Sequence, residues 1–210
     1  MLINVLSKIN QPPENVIIID TGTAPPLSEH PALSPMAEFI YLPIDSPRNI
    51  QVWWNIGIER AAELAAERGQ SEYHVAVLNS DLDIDEYTLP ALSEAIDKTG
   101  VAISSPDRSG DIAPGDVNIE TSQGPVPFAY RMMGYCYMIR GSSGLRLDEG
   151  FVWWYGDDDI EWRARIAGGV GLVGGLRAEN LDESTARVDN FVTNRDFGRF
   201  LVKYGSAPCY

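Results

Sequence analysis

The chain has 210 residues, of which 16 are basic and 30 acidic, giving a formal charge of -14. A field of that sign disfavours tightly held nucleic acid, and no dense Lys/Arg cluster offsets it locally. The hydrophobic share of 44% argues against extended disorder, and no apolar run approaches the roughly 18–20 residues a membrane helix needs. Only Cys136 and Cys209 are present, so a disulfide framework is not expected, and the start of the chain does not read as a secretory signal. A reducing, cytoplasmic setting is the expectation.

Apolar positions Leu2, Val5, Leu6 and Ile9 suit a helix packed on the strand that follows. That strand, Val16 to Ile19, ends in Asp20-Thr21-Gly22 and reads as a buried parallel strand emptying into a loop. Phe39–Leu42 is a second, weaker strand. A helix is expected over Trp54–Arg68, with Asn55 as a plausible N-cap, ended by Gly69. A strand at Tyr73–Leu78, a helix at Thr88–Lys98 and a strand at Val101–Ile103 follow. This alternation implies a mostly parallel, Rossmann-like α/β sheet. Gly, Pro, Asp and Ser dominate Ser105–Pro127, which reads as a long irregular excursion. Regular structure resumes over Met132–Arg140. A helix from about Asp159 to Ala167, a polar segment Glu179–Thr193 and a last amphipathic stretch complete the chain. There is no convincing linker, so residues 1–210 form one domain, with a nucleotide-binding half (1–104) and an acceptor and catalytic half (105–210).

Two acidic constellations stand out. Asn79-Ser80-Asp81-Leu82-Asp83 follows a strand, where α/β folds place ligands and where a hard divalent cation would share its oxygen ligands with a diphosphate. A polar turn capping the next helix is an equal reading. The second is Asp157-Asp158-Asp159-Ile160-Glu161 after Trp153-Trp154-Tyr155-Gly156. Crowded carboxylates repel, which raises proton affinity and suits a general base; an acidic first helical turn is the plainer alternative. Trp153, Trp154 and Tyr155 suit either an acceptor-sugar platform or core.

The order of the segments "VIIIDT", "RNIQVWWNIGIERA", "AVLNSDLDIDEYTLPAL", "GYCYMIRG" and "LDEGFVWWYGDDDIEWRARIAGG" resembles inverting glycosyltransferases of the GT-A fold, above all galactofuranosyl- and rhamnosyltransferase-like members. The resemblance covers most of the chain. It implies a metal-dependent transfer, with inversion, from a nucleotide-sugar donor to a protein or glycan acceptor, using Mn²⁺ or Mg²⁺. Asp20, Asn49 and Asn55 would lie around the donor, and Asn79 with Asp81 would form the metal pair, Asp83 being the alternative ligand. Asp159, or Asp158, would deprotonate the acceptor hydroxyl; Arg165 would hold either the helix or the diphosphate. Asp81 and Asp159 should then face one cleft, on the order of 10 Å apart. Relatives open with a strand where this chain has the Leu2–Ile9 helical pattern, so the first strand is expected to be lacking or shortened. Asn180 stands where many relatives carry a histidine. A non-catalytic binding or assembly protein of the same fold is the alternative function, and homo-oligomerisation is left open. A calcium-binding acidic domain finds no glycine-centred loop spacing to support it.

Overall fold

The computed structural model describes residues 2–43, 45, 48–181 and 190–207. The first element, α1 (Leu2–Ile9), is a helix, as its apolar spacing predicts. It buries Val5, Leu6 and Ile9 in a core that also contains Val16, Ile18, Leu82 and Ile84. Strands β1 (Ile17–Asp20) and β2 (Glu38–Tyr41) pair in parallel as a separate two-stranded sheet. The helix that follows, α2 (Ile50–Glu67), begins four residues before the expected Trp54. Its N-cap is Asn49, whose Oδ1 accepts the N–H groups of Gln51 and Val52, and not Asn55, which lies inside the helix.

The central sheet has the order β3 (His74–Leu78), β7 (Cys136–Arg140), β5 (Ile103–Pro106), β8 (Val170–Val173), β6 (Val117–Glu120). The expectation of a mostly parallel sheet needs correction. Only the β5–β8 pairing is parallel; β3–β7, β5–β7 and β6–β8 are antiparallel. The reason is that β7 runs back between β3 and β5, and β6 forms an edge strand inside the expected irregular excursion. Strands β3, β5 and β8 nevertheless share one direction, so their C-terminal ends meet at one edge with the N-terminal end of β7. Across that edge a third, small sheet pairs β4 (Leu82–Ile84) antiparallel with β9 (Ala178–Asn180).

Helix α3 (Thr88–Thr99) buries Leu89, Leu92, Ala95 and Ile96 along one stripe and ends at Gly100 in the left-handed conformation, φ 72°. Its core side faces β5, where the Ser104 hydroxyl donates to the Leu92 carbonyl at 2.8 Å. On another face of the sheet, Ile58 of α2 and Ile160 and Ala164 of α4 (Gly156–Ile166) pack with Val77, Tyr137, Ile139, Val170 and Leu172. Helix α5 (Asn190–Tyr204) completes a smaller aromatic cluster of Phe151, Trp162 and Phe200. No described helix is long and apolar enough to cross a membrane. Cys136 is a buried free thiol, pushed up to about 12 by burial, and Cys209 lies outside the described residues.

Candidate active site

At the edge where β3 and β5 end and β7 begins, the Asn79 end of β3 comes near the acidic first turn of α4. The Asn79 N–H donates to the Tyr135 carbonyl at 3.0 Å, tying the end of β3 to the segment that leads into β7. Immediately before it, Gly134 supports the first turn of α4: a side chain there would overlap the Asp157 carboxylate. The segment Gly134–Tyr135 therefore has the Asn79 end of β3 on one flank and Asp157 on the other.

The three consecutive aspartates have three different environments, because a helix turns each one by about 100° from the last. Asp158 is buried and ion-pairs with the Arg131 guanidinium. Asp159 is fully buried: Oδ2 accepts from Arg163 at 2.7 Å, while Oδ1 accepts from the Tyr204 hydroxyl at 2.7 Å and lies 2.5 Å from Lys203 Nζ. Both of its oxygens are thus committed to α4 and α5. Asp157 is partly exposed and makes no hydrogen bond or ion pair to a described residue. Glu161, one turn on, is buried beside Arg165 at 3.9 Å. Burial pushes its carboxyl up to about 8, with Asp158 and Asp157 adding to the rise and Arg165 opposing it.

The other expected residues divide between cleft and scaffold. Asp81 is partly buried where β4 begins, and its carbonyl accepts from Leu181 N–H at 2.9 Å. Asp83 sits on β4 with its carboxylate on Arg177 at 2.7 Å, on the strand face opposite the buried Leu82 and Ile84. Asp20 is buried at the end of β1, with its two oxygens accepting the N–H groups of Thr23 and Leu27 at 3.0 and 2.8 Å. Asn49 also donates to the Glu149 carbonyl at 2.9 Å. Asn55 exchanges hydrogen bonds with the Leu147 backbone at 3.0 and 2.8 Å and donates to Glu149. Both asparagines stitch α2 to the segment before the aromatic run. Arg165 Nη1 donates to the carbonyls of Ser122 and Gly124, at 3.2 and 2.8 Å, so it holds a loop onto α4.

Trp153 meets Trp53 of α2 edge to face, with ring centroids 6.0 Å apart, and both rings are partly exposed. Trp154 is partly exposed as well, although its Nε1 is buried without a hydrogen-bond partner among the described residues. Tyr155 turns inward, packing on Phe197 and Phe200, and adopts φ 64° as it leads into α4. A left-handed tyrosine costs on the order of 1 kcal/mol, and it reverses the chain so that the acidic turn faces the sheet edge. Asp196 holds this reversal. Fully buried on α5, its carboxylate accepts the N–H groups of Val152, Trp153 and Trp154 at 2.8–3.2 Å.

Arg108, Arg131, Asp196, Lys203 and Tyr204 carry no local signal that marks them in the sequence. Arg108 follows Asp107, whose carboxylate fixes the turn by accepting from the Ser109 and Ile112 N–H groups at 3.0 and 3.2 Å. Its guanidinium stacks over the Phe128 ring at 3.9 Å and donates to the Met132 carbonyl at 3.3 Å. Burial pushes its pKa down, and the nearby Tyr135 and Asp157 oppose that.

A divalent cation at this edge would find a neutral oxygen from Asn79 and one carboxylate from Asp81, while Asp83 is engaged by Arg177. Among the described residues no three His, Cys, Asp or Glu side chains come together as a metal-binding group. From the described residues, Asn79 and Asp81 would need the oxygens of a substrate diphosphate to complete a cation site.

No family model matches the chain, and no curated protein matches it in sequence. Among solved structures, it is similar to the crystal structure of residues 1–349 of S. aureus TarS, a glycosyltransferase, at a TM-score of 0.56 and 12% identity. The match covers 82% of this chain and 52% of that one, so the chain spans about half the length of this neighbour. The fold is thus mixed α/β and similar to that of this neighbour.

Proposed function

We propose that the protein is a glycosyltransferase that moves a sugar from a nucleotide-diphosphate donor to an acceptor hydroxyl with inversion. The observation that carries this reading is a carboxylate, Asp157, with no hydrogen-bond or ion-pair partner among the described residues, held at a helix start near the end of β3 that Asn79 and Asp81 follow. In a displacement of this kind the acceptor oxygen forms a bond to the anomeric carbon as the bond from that carbon to the diphosphate breaks. Asp157 takes the hydroxyl proton. The sequence pointed to Asp159 or Asp158, but these are held by Arg163, Lys203 and Tyr204, and by Arg131. Their role is to fix the turn from which Asp157 projects. Asp81, with Asn79, would hold Mn²⁺ or Mg²⁺, which offsets the negative charge growing on the leaving diphosphate. Trp53 and Trp153 offer partly exposed rings near the same turn for the acceptor.

Screening nucleotide sugars with and without Mn²⁺ for released nucleoside diphosphate tests the reading, because transferases leak some donor to water. Turnover of one donor family is the expected result. A non-catalytic binding protein of this fold is the second reading, favoured by the separate β1–β2 sheet and the neutral Asn79. It predicts stabilisation by a donor without any release of diphosphate.

A further inference from the structure

The cationic side chains around α4 are almost all neutralised. Arg131 meets Asp158, Arg163 and Lys203 meet Asp159, and Arg165 points at carbonyls and Glu161. Arg108 differs. It makes no ion pair with a described residue; its Nε is buried without a hydrogen-bond partner, and its Nη1 has none among the described residues. A half-buried guanidinium without a contacting counter-ion is costly, and the Phe128 ring with the more distant Asp157 and Glu161 offsets only part of that cost. In a chain of net charge -14 there is no shortage of carboxylates to pair with it. The backbone around it is fixed by the Asp107 turn, so the guanidinium is presented rather than trailing in solvent. It lies just past the C-terminal end of β5 and reaches the Met132 carbonyl, two residues before the Gly134 that packs against the Asp157 carboxylate. A planar fork of donors matches the oxygens of a phosphate, and every nucleotide-sugar donor carries phosphate.

We infer that Arg108 receives a phosphoryl group of a substrate at the sheet edge beside Asp157. This rests on the glycosyl-transfer reading and deepens it, because it supplies from the protein a fixed positive charge that the Asn79–Asp81 pair does not. The phosphate belongs either to the donor diphosphate or to a phosphate-bearing acceptor.

Calorimetric titration of the full chain in EDTA separates these sources, using nucleoside diphosphates, the matching nucleosides, and glycerol phosphate as a nucleoside-free probe. Wild type should bind a diphosphate more tightly than its nucleoside. Arg108→Gln should weaken that binding at least tenfold without moving nucleoside affinity, and Arg108→Lys should fall between. Loss confined to glycerol phosphate assigns the site to the acceptor instead. If Arg108→Gln melts like wild type and binds every phosphate probe as wild type does, the inference is overturned while sugar transfer stands. If wild type itself binds no phosphate probe, the inference is likewise overturned, and the nucleotide-sugar screen judges the transfer reading separately.

Discussion

The Tyr204 hydroxyl donates to Asp159 Oδ1 at 2.7 Å, joining the end of α5 to the first turn of α4 across 45 residues of chain. Lys203 beside it reaches both Asp159 and Asp148, at 2.5 and 2.7 Å. Burial alone would raise the Asp148 carboxyl, but Lys203, the Gly150 N–H and Arg199 hold it down at about 2. Helix α5 therefore acts as a clamp behind the candidate active site.

A clamp of this kind predicts a stability phenotype for Asp159. Breaking a buried ion pair from one side typically costs about 3–5 kcal/mol, because the partner charges stay buried. Asp159→Asn should lose stability on that scale in urea unfolding, whereas Asp157→Asn should change it by less than about 1 kcal/mol. Equal effects of the two substitutions would remove the distinction drawn between them.

Glu161 gives a pH dependence of definite sign. An unfolded glutamate ionises near 4.5 and the folded one near 8, so between those values the folded state keeps a proton that the unfolded state has lost. The stability tied to that proton is complete below 4.5 and is lost as pH rises toward 8. Glu161→Gln, which is neutral throughout, should gain on wild type as pH rises from about 5 to about 8. Melting temperatures of both proteins across that range check it, and a constant difference would show that Glu161 ionises normally.

Gly134 should be intolerant of any side chain, since a methyl group there would overlap the Asp157 carboxylate. Gly134→Ala should lower kcat through displacement of Asp157, with donor affinity changed less than about threefold. Steady-state kinetics beside equilibrium donor binding separate the two, and an unchanged kcat would place the reacting groups elsewhere.

The helix α1 was legible because four apolar positions recur at helical spacing within eight residues; α3 matches its expected range to one residue, whereas α4 begins at Gly156, three residues before the expected Asp159. Sheet direction was not legible, since the return of β7 between β3 and β5 is decided by packing over sixty residues. The same limit applied to the site. The acidic run was visible, yet which member is free depends on Arg131, Arg163, Lys203 and Tyr204, most of them distant in sequence. Asp83 looked like a metal ligand because nothing local reveals Arg177 across the β4–β9 ladder.

Among the described residues, the split between the β1–β2 sheet and the central sheet leaves β1 and β3 each paired on one side only, although α2 packs against both. Unpaired edges exchange their amide hydrogens with solvent and invite added strands. Alternate amides of His74–Leu78 should exchange much faster than those of Ile103–Pro106, which is flanked on both sides. Uniform protection of His74–Leu78 would mean that another segment or a second copy covers that edge.

The most direct test of the account is single-turnover transfer by Asp157→Asn beside Asp158→Asn and Asp159→Asn, with the donor identified by the nucleotide-sugar screen. An amide keeps the shape of the carboxylate but cannot take the hydroxyl proton, and loss of a general base typically costs about 10²–10⁴ in rate. Asp157→Asn should show a loss of that size with donor affinity and melting temperature close to wild type. The other two should lose stability, with their rates recovering wherever the fold is retained. A folded Asp157→Asn that transfers sugar at the wild-type rate would contradict the assignment and move the chemistry away from this turn.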